Sequence, residues 1–208
     1  YTYTTSDGVY CDTSKQPDYG HLARLDVHGL EAGRRVDLGE KRLPTDFALW
    51  KFSKSDELRQ MEWESPWGKG FPGWHIECSA MACALLGEQF DLHGGGMDLQ
   101  FPHHESEIAQ STICNHEAPV NYWMHNNMIT IEGRKMGKSY NNVIQLTELF
   151  SGNHHLLSQA FHPMTVRFFI LQSHYRSTLD FSNNALAASE KALKRLWEAY
   201  DALKALEV

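Results

Sequence analysis

Three groups of residues in this chain have types and spacings that can do chemistry. The first is Pro102-His103-His104-Glu105-Ser106-Glu107. Residues four apart share one face of a helix, so His103 and Glu107 can turn an imidazole nitrogen and a carboxylate oxygen toward one ion while His104 points elsewhere. That donor pair suits zinc, and the thiolate of Cys78, on the preceding helix beside the same strand, is the natural third ligand. Cys83, five residues on, faces another angle and reads as a small buried hydrophobe. The plainer alternative is that His103 and Glu107 are an i,i+4 hydrogen-bonded pair at a surface. Spacing weighs the two evenly, and three ligands fall one short of zinc's usual four.

The second group, His93-Gly94-Gly95-Gly96-Met97-Asp98, stands where a strand ends and a helix is about to begin. Glycines there let backbone approach a ligand at the carboxyl end of a sheet, and an acidic residue just beyond can take ribose hydroxyls. A plain tight turn explains a triple glycine equally simply. The third group, Arg134-Lys135-Met136-Gly137-Lys138-Ser139, gathers three cations in a flexible loop. Lysines on such a loop can clamp phosphates and neutralise charge that develops during phosphoryl or adenylyl transfer. Taken alone, the loop is an ordinary solvated basic segment.

The elements that must position these groups fall into three stretches. Residues 1–63 are irregular, with short β-rich pieces broken by Asp-Gly, Gln-Pro-Asp and Leu-Pro, and read as a small α+β excursion without a core of its own. Residues 64–145 alternate helix and strand as a parallel α/β unit does. There a helix is expected over 74–86 with its stop at Gly87, a strand over 90–93, a second helix from Pro102 to about Cys114, and one or two buried strands within 121–131. Residues 146–208 are helical. Pro163 opens one helix, and Leu193, Leu196, Trp197, Tyr200, Leu203 and Leu206 recur at three- and four-residue steps, a stripe expected to pack into a core.

Composition narrows the function. The 208 residues carry 19 basic and 26 acidic side chains, a net charge of -7, so the chain does not coat nucleic acid by bulk electrostatics. Four cysteines are too few for a disulfide framework. The mean hydropathy of -0.46 and the lack of a long apolar run exclude a transmembrane helix. No basic-then-apolar signal segment opens the chain, so a cytoplasmic location is expected.

The order of the motifs changes their weight. Gly73-Trp74-His75-Ile76-Glu77-Cys78, then the triple glycine with Asp98, then Phe101-Pro102-His103-His104-Glu105-Ser106-Glu107, then Lys135-Met136-Gly137-Lys138-Ser139 closely resembles the cysteinyl-tRNA synthetase family of class I aminoacyl-tRNA synthetases. Residues 39–50 and 121–125 look like that family too, and the lysine string matches its Lys-Met-Ser-Lys-Ser signature with Gly137 in place of the middle serine. The resemblance implies an α/β fold, the C-terminal half of a Rossmann-like parallel-sheet catalytic domain. Residues 1–63 would be part of a connective insertion, 64–145 the second half of the nucleotide-binding domain, and 146–208 a helical stem-contact region.

It further implies that Cys78, His103 and Glu107 hold a zinc ion that binds the substrate thiolate. Trp74 and His93 would line the amino-acid pocket, Gly96 and Asp98 hold the ATP ribose, and Lys138 with Lys135 stabilise the leaving pyrophosphate, with magnesium. Cysteine, ATP and tRNA(Cys) are the implied partners of a full-length parent. The family's His-x-Gly-His signature and early cysteine ligand have no counterpart; neither Gly20-His21 nor His28-Gly29 substitutes for that signature. An internal, monomeric and inactive piece is therefore expected. Three other readings stay open: a related cysteine ligase with an amino-sugar acceptor, a zinc hydrolase using Glu77 or Glu105 as base, and a purely structural domain.

Overall fold

The computed structural model describes residues 1–25, 39–56 and 58–206, so His28 and Gly29 lie outside the described residues. The chain divides into two compact units, Tyr1–Met124 and His125–Val208.

The first unit opens with an antiparallel sheet in the order β1-β2-β3-β4, formed by Thr2–Thr4, Gly8–Cys11, Phe47–Phe52 and Gly70–Pro72. Tyr3 stands opposite Tyr10 and Cys11 opposite Phe47. The sheet takes in Gly70–Pro72, past the Trp63 at which the first stretch was expected to end. Among the described residues this stretch forms no core of its own. Cys11, Tyr19 and Phe47 bury against Ala109 of α2 (Glu105–Asn115), with Leu49, Phe101 and Ile113 around them. Burial pushes the Cys11 thiol up to about 12, so it is an inert packing group.

Two helices and two further strands complete the unit. α1 spans Trp74–Leu86 and stops at Gly87, whose φ of +99° few other residues tolerate. The apolar residues of α1 are spread around the helix rather than gathered in one stripe, yet none of its residues is buried within this chain, and Cys83 is exposed rather than packed away. β5 (Phe90–Gly96) pairs with β6 (Val120–Asn126). Phe90 N–H donates to Pro119 O at one end and Gly94 lies beside Met124 O at the other, so the two strands run in the same direction with α2 between them in sequence. The second helix starts at Glu105, not at Pro102, because a wider turn over Gln100–His104 precedes it and Phe101 has an extended backbone. Of the one or two buried strands expected within 121–131, Ile129–Ile131 buries Thr130 and Ile131, whereas β6 is mostly exposed. Its Val120 is covered, whereas Tyr122 and Met124 face outward.

In the second unit, β7 (Ile129–Ile131) pairs antiparallel with β8 (Arg134–Lys135) and parallel with β9 (Leu179–Phe181). α3 (Leu146–Ser151), α4 (Pro163–Leu171) and α5 (Asn183–Lys204) pack around Ile131, Leu149, Phe161, Val166, Phe169, Phe181 and Leu186. Pro163 opens α4 with His162 Nδ1 accepting from Met164 N–H, and Ser182 Oγ caps α5 by accepting from Ala185 N–H. The apolar stripe of α5 does not form core as expected. Leu186 and Leu193 are buried, but Leu196, Trp197, Tyr200, Leu203 and Leu206 are exposed. Helix length explains this: at 1.5 Å per residue α4 is roughly 14 Å long and α5 roughly 33 Å, so the second half of α5 runs past its partner.

One buried carboxylate organises the first sheet. Asp46 accepts from Tyr3 Oη at 2.7 Å, from Thr13 N and Oγ1 at 2.9 Å each, and from Leu43 N at 3.0 Å. Burial and this bond push the Tyr3 hydroxyl up to about 12, keeping it a donor. Asp46→Ala leaves buried donors without a partner and is expected to cost about 3 kcal/mol or more, measured as a lower urea midpoint at unchanged slope.

Candidate metal centre

The first turn of α1 carries Trp74, His75 and Cys78. His75 and Cys78 are three residues apart and therefore share a face. That face meets the start of α2. Buried Gln110 staples the helices there: it bonds Ser79, and with its amide nitrogen turned toward α1 it donates to His75 O at 3.3 Å while its oxygen accepts from Ile76 N–H at 3.2 Å. Opposite Cys78 stand His103 and Glu107, both buried, with His103 Nε2 3.1 Å from Glu107 Oε1. One ligand atom each of Cys78, His103 and Glu107 lies within 4.8 Å of the others.

The 3.1 Å nitrogen–oxygen separation is close to that of a zinc pair, and the sulfur lies within 4.8 Å of both. Bonds of the usual lengths around a tetrahedral ion place a nitrogen and an oxygen ligand about 3.4 Å apart, and a sulfur and a nitrogen about 3.5 Å apart. A thiol, an imidazole and a carboxylate are also the donor mixture zinc takes. Burial and the negative charges of Glu107 and Glu77 raise the Cys78 thiol above its ordinary value, so at neutral pH it is a thiol until a cation replaces its proton. Burial lowers His103, which favours the neutral imidazole a metal needs.

Two histidines join this cluster beyond the expected ligands. His104 does not point elsewhere. With His93 and Glu107 it forms a second group of ligand atoms within 4.8 Å, so Glu107 is approached by imidazoles from both sides. The ring of His104 lies 5.0 Å from that of His93 and 4.8 Å from that of Trp123. His75 turns its Nδ1 to His103 Nδ1, 2.8 Å away. Its ring sits edge-on to Phe47 at 5.7 Å, and burial beside His103 and Lys41 lowers it to about 4. Both were readable as three-residue spacings, His75 to Cys78 on α1 and His104 to Glu107 at the start of α2.

The other expected residues fall around or beyond this cluster. Trp74 lays its half-exposed ring 4.3 Å from that of His103, a wall over one side. His93 Nε2 is 3.2 Å from Glu107 Oε2. Gly96 closes β5, and the Asp98 carboxylate folds back so closely that a Cβ on Gly96 would meet its Oδ1 at 2.4 Å. Glu105 is not available as a hydrolytic base: it is 1% exposed, and its two oxygens accept from Gly20 N–H at 3.0 Å and Ala23 N–H at 2.7 Å. Gly20, with its neighbour His21, thus belongs to a turn anchored by that carboxylate.

Lys135 and Lys138 belong to the second unit. They lie in a hairpin and a single tight helical turn rather than in a loose loop. Buried Asn142 ties the segment, accepting from Gly137 N–H at 2.9 Å and donating to Lys135 O at 3.1 Å. Asp180 accepts from Thr130 Oγ1 and Gly133 N–H at 2.7 Å each. Both lysine side chains are exposed. His154 and His155 stack at 4.4 Å, and His154 Nδ1 accepts from Leu156 N–H, a turn-forming role.

These features carry a family assignment. The description "tRNA synthetases class I (C) catalytic domain" matches residues 1–191, and the chain belongs to that family. Its curated relatives are more specific. A cysteine–tRNA ligase of Cytophaga hutchinsonii is 55% identical over 213 residues, covering 100% of this chain and 42% of the relative. Those of Bacteroides fragilis and Chlorobaculum tepidum are 56% and 49% identical, each covering 98% of this chain and 42% and 40% of the relative. The chain thus spans about two-fifths of the length of the relatives it matches.

The triple glycine is explained in part by packing. A Cβ on Gly95 would meet His104 Cε1 at 2.6 Å and Nε2 at 2.9 Å, so the absence of a side chain there lets the imidazole lie on the strand. A Cβ on Gly94 would meet only Met124 O, at 3.7 Å. Gly95→Ala is therefore expected to destabilise the first unit by roughly 1–3 kcal/mol and Gly94→Ala by far less, as measured by denaturant unfolding.

Proposed function

We propose that the protein to which this chain belongs is a cysteine–tRNA ligase, which joins cysteine and ATP into cysteinyl-adenylate with release of pyrophosphate and then transfers the cysteinyl group to the terminal adenosine of tRNA(Cys). The observation that carries this reading is the convergence of Cys78, His103 and Glu107, within 4.8 Å, in a chain whose relatives bear that name. Cys78, His103 and Glu107 would hold zinc; the family's fourth ligand has no counterpart among these residues. Zinc bound there would supply a borderline-soft cation for which a thiolate is a far stronger ligand than a serine hydroxyl. That difference exceeds what shape alone gives, since one missing group in a small pocket is worth only ~1–3 kcal/mol.

The chain's own residues take the remaining roles. Trp74 and His93 border the amino-acid pocket, and Gly96 with Asp98 receives the ribose of ATP. Lys138, with Lys135, neutralises charge on the phosphates, which ATP brings with magnesium. In fold, we read β5, α2 and β6 as the later part of a Rossmann-like parallel sheet. Parallel sheets are covered on both faces, which accounts for the apolar surfaces of α1 and β5 left bare in this chain. Of the two bases a hydrolase reading would use, Glu77 and Glu105, Glu105 is committed to backbone amides.

Two measurements on the full-length protein test the reading. Cys78→Ser is expected to release most of the zinc, to lower cysteine-dependent ATP–pyrophosphate exchange by orders of magnitude, and to shrink the preference for cysteine over serine. Loss of metal with discrimination intact would make the metal structural and refute this assignment of the site. Lys138→Ala is expected to reduce exchange by about a hundredfold or more while leaving zinc content unchanged, because it removes one donor to the phosphates.

A further inference from the structure

We propose that His75 is a positioning residue for the metal centre: its Nδ1, 2.8 Å from His103 Nδ1, accepts the His103 Nδ1–H and so keeps His103 Nε2 bare for the ion. The inference rests on the zinc reading of Cys78, His103 and Glu107. Two ring nitrogens at that distance share one hydrogen, so one ring donates and the other accepts. His103 already turns Nε2 toward Glu107 Oε1, 3.1 Å away, and this is the nitrogen that faces the ligand cluster. An imidazole that ligates through Nε2 must carry its proton on Nδ1, and the partner of that N–H sets both the tautomer and the ring plane.

His75 is not itself a ligand. Its nitrogen faces a ring nitrogen, and among the described residues no group of clustered ligand atoms includes it. Its ring is held by contacts that have nothing to do with a metal: Phe47 of β3 meets it at 5.7 Å almost perpendicularly, and Trp74 flanks it at 5.7 Å. Phe47 in turn follows Asp46, the carboxylate that ties the first sheet together. One route from the antiparallel sheet to the metal centre thereby runs through the Phe47 side chain and the His75–His103 hydrogen bond. Most metal-bound histidines give their second N–H to a carboxylate or a carbonyl. A second imidazole in that place is neutral, so it adds no negative charge to those of Glu107 and Glu77.

The test uses the full-length protein, stripped of metal and titrated with zinc against a chromophoric chelator, with cobalt(II) as a spectroscopic substitute. His75→Phe keeps a ring of similar shape but removes the acceptor, and is expected to weaken zinc binding by about 10- to 100-fold and to alter the cobalt ligand-field bands. His75→Asn places Oδ1 where Nδ1 was and is expected to recover most of that loss. Equal affinity of His75→Phe and the parent, or an Asn variant as weak as Phe, overturns the inference. If His75→Phe fails to fold, the ring proton of His103 in the zinc-loaded parent decides instead. A slowly exchanging, hydrogen-bonded Nδ1–H supports the proposal, and one that exchanges as in a solvated imidazole refutes it. Unchanged zinc affinity in Cys78→Ser would instead overturn the metal reading, and the proposal with it.

Discussion

The first unit depends on the burial of one carboxylate. Glu107 is 3% exposed, and a carboxylate so far from water is tolerated only with close partners. Among the described residues these are His103 Nε2 at 3.1 Å on one oxygen and His93 Nε2 at 3.2 Å on the other. Each imidazole then needs support. His103 leans on His75 and lies under Trp74, while His93 packs against His104, Trp123 and Phe90. One buried negative charge thus recruits a shell of rings from α1, β5, the turn before α2 and β6. The elements are where they are because those rings must meet.

Glu105 and Glu107 are two residues apart and do opposite things. Glu105 turns both oxygens to backbone amides of the loop at Gly20 and Ala23, a bond set that fixes the chain. Glu107 faces imidazole nitrogens rather than backbone amides, so a cation can take its place between them. Helix geometry separates the roles, since neighbours two apart face different sides. Charge type alone therefore did not distinguish a structural carboxylate from a ligand; the partner's identity does.

Much of the framework could be read from the residues. The bounds of α1 followed from helix formers between Gly73 and Gly87, and α4 from Pro163, because each signal acts within one turn. Cys78, His103 and Glu107 could be joined because the helical repeat places two of them together and the motif order supplies the third. What depends on contacts between distant segments was not legible. No local rule says that Phe47 touches His75, that Gly95 makes room for His104, or that Glu105 captures the amide of Gly20. The apolar stripe of α5 failed for the opposite reason: its periodicity is real, but burial needs a neighbour, and α4 ends after nine residues.

Missing cover also leaves α1 open. A helix whose apolar residues are spread around it is stable in water only when covered, and within this chain α1 is half-open, with Met81, Leu85 and Leu86 exposed. Its polar interactions nonetheless gather on one face, where Ser79 and the backbone at His75 and Ile76 meet Gln110 and where Cys78 turns toward Glu107. A thiol fits such a helix because its neutral form is a small, nearly apolar group and becomes an anion only when a cation takes the proton's place. An aspartate at the same position would put a second carboxylate beside Glu107 with no cation to separate them, a repulsion the metal-free fold would have to absorb. Cysteine lets this surface remain apolar before the ion arrives and ligate once it has, so the choice of sulfur suits the helix as well as the metal.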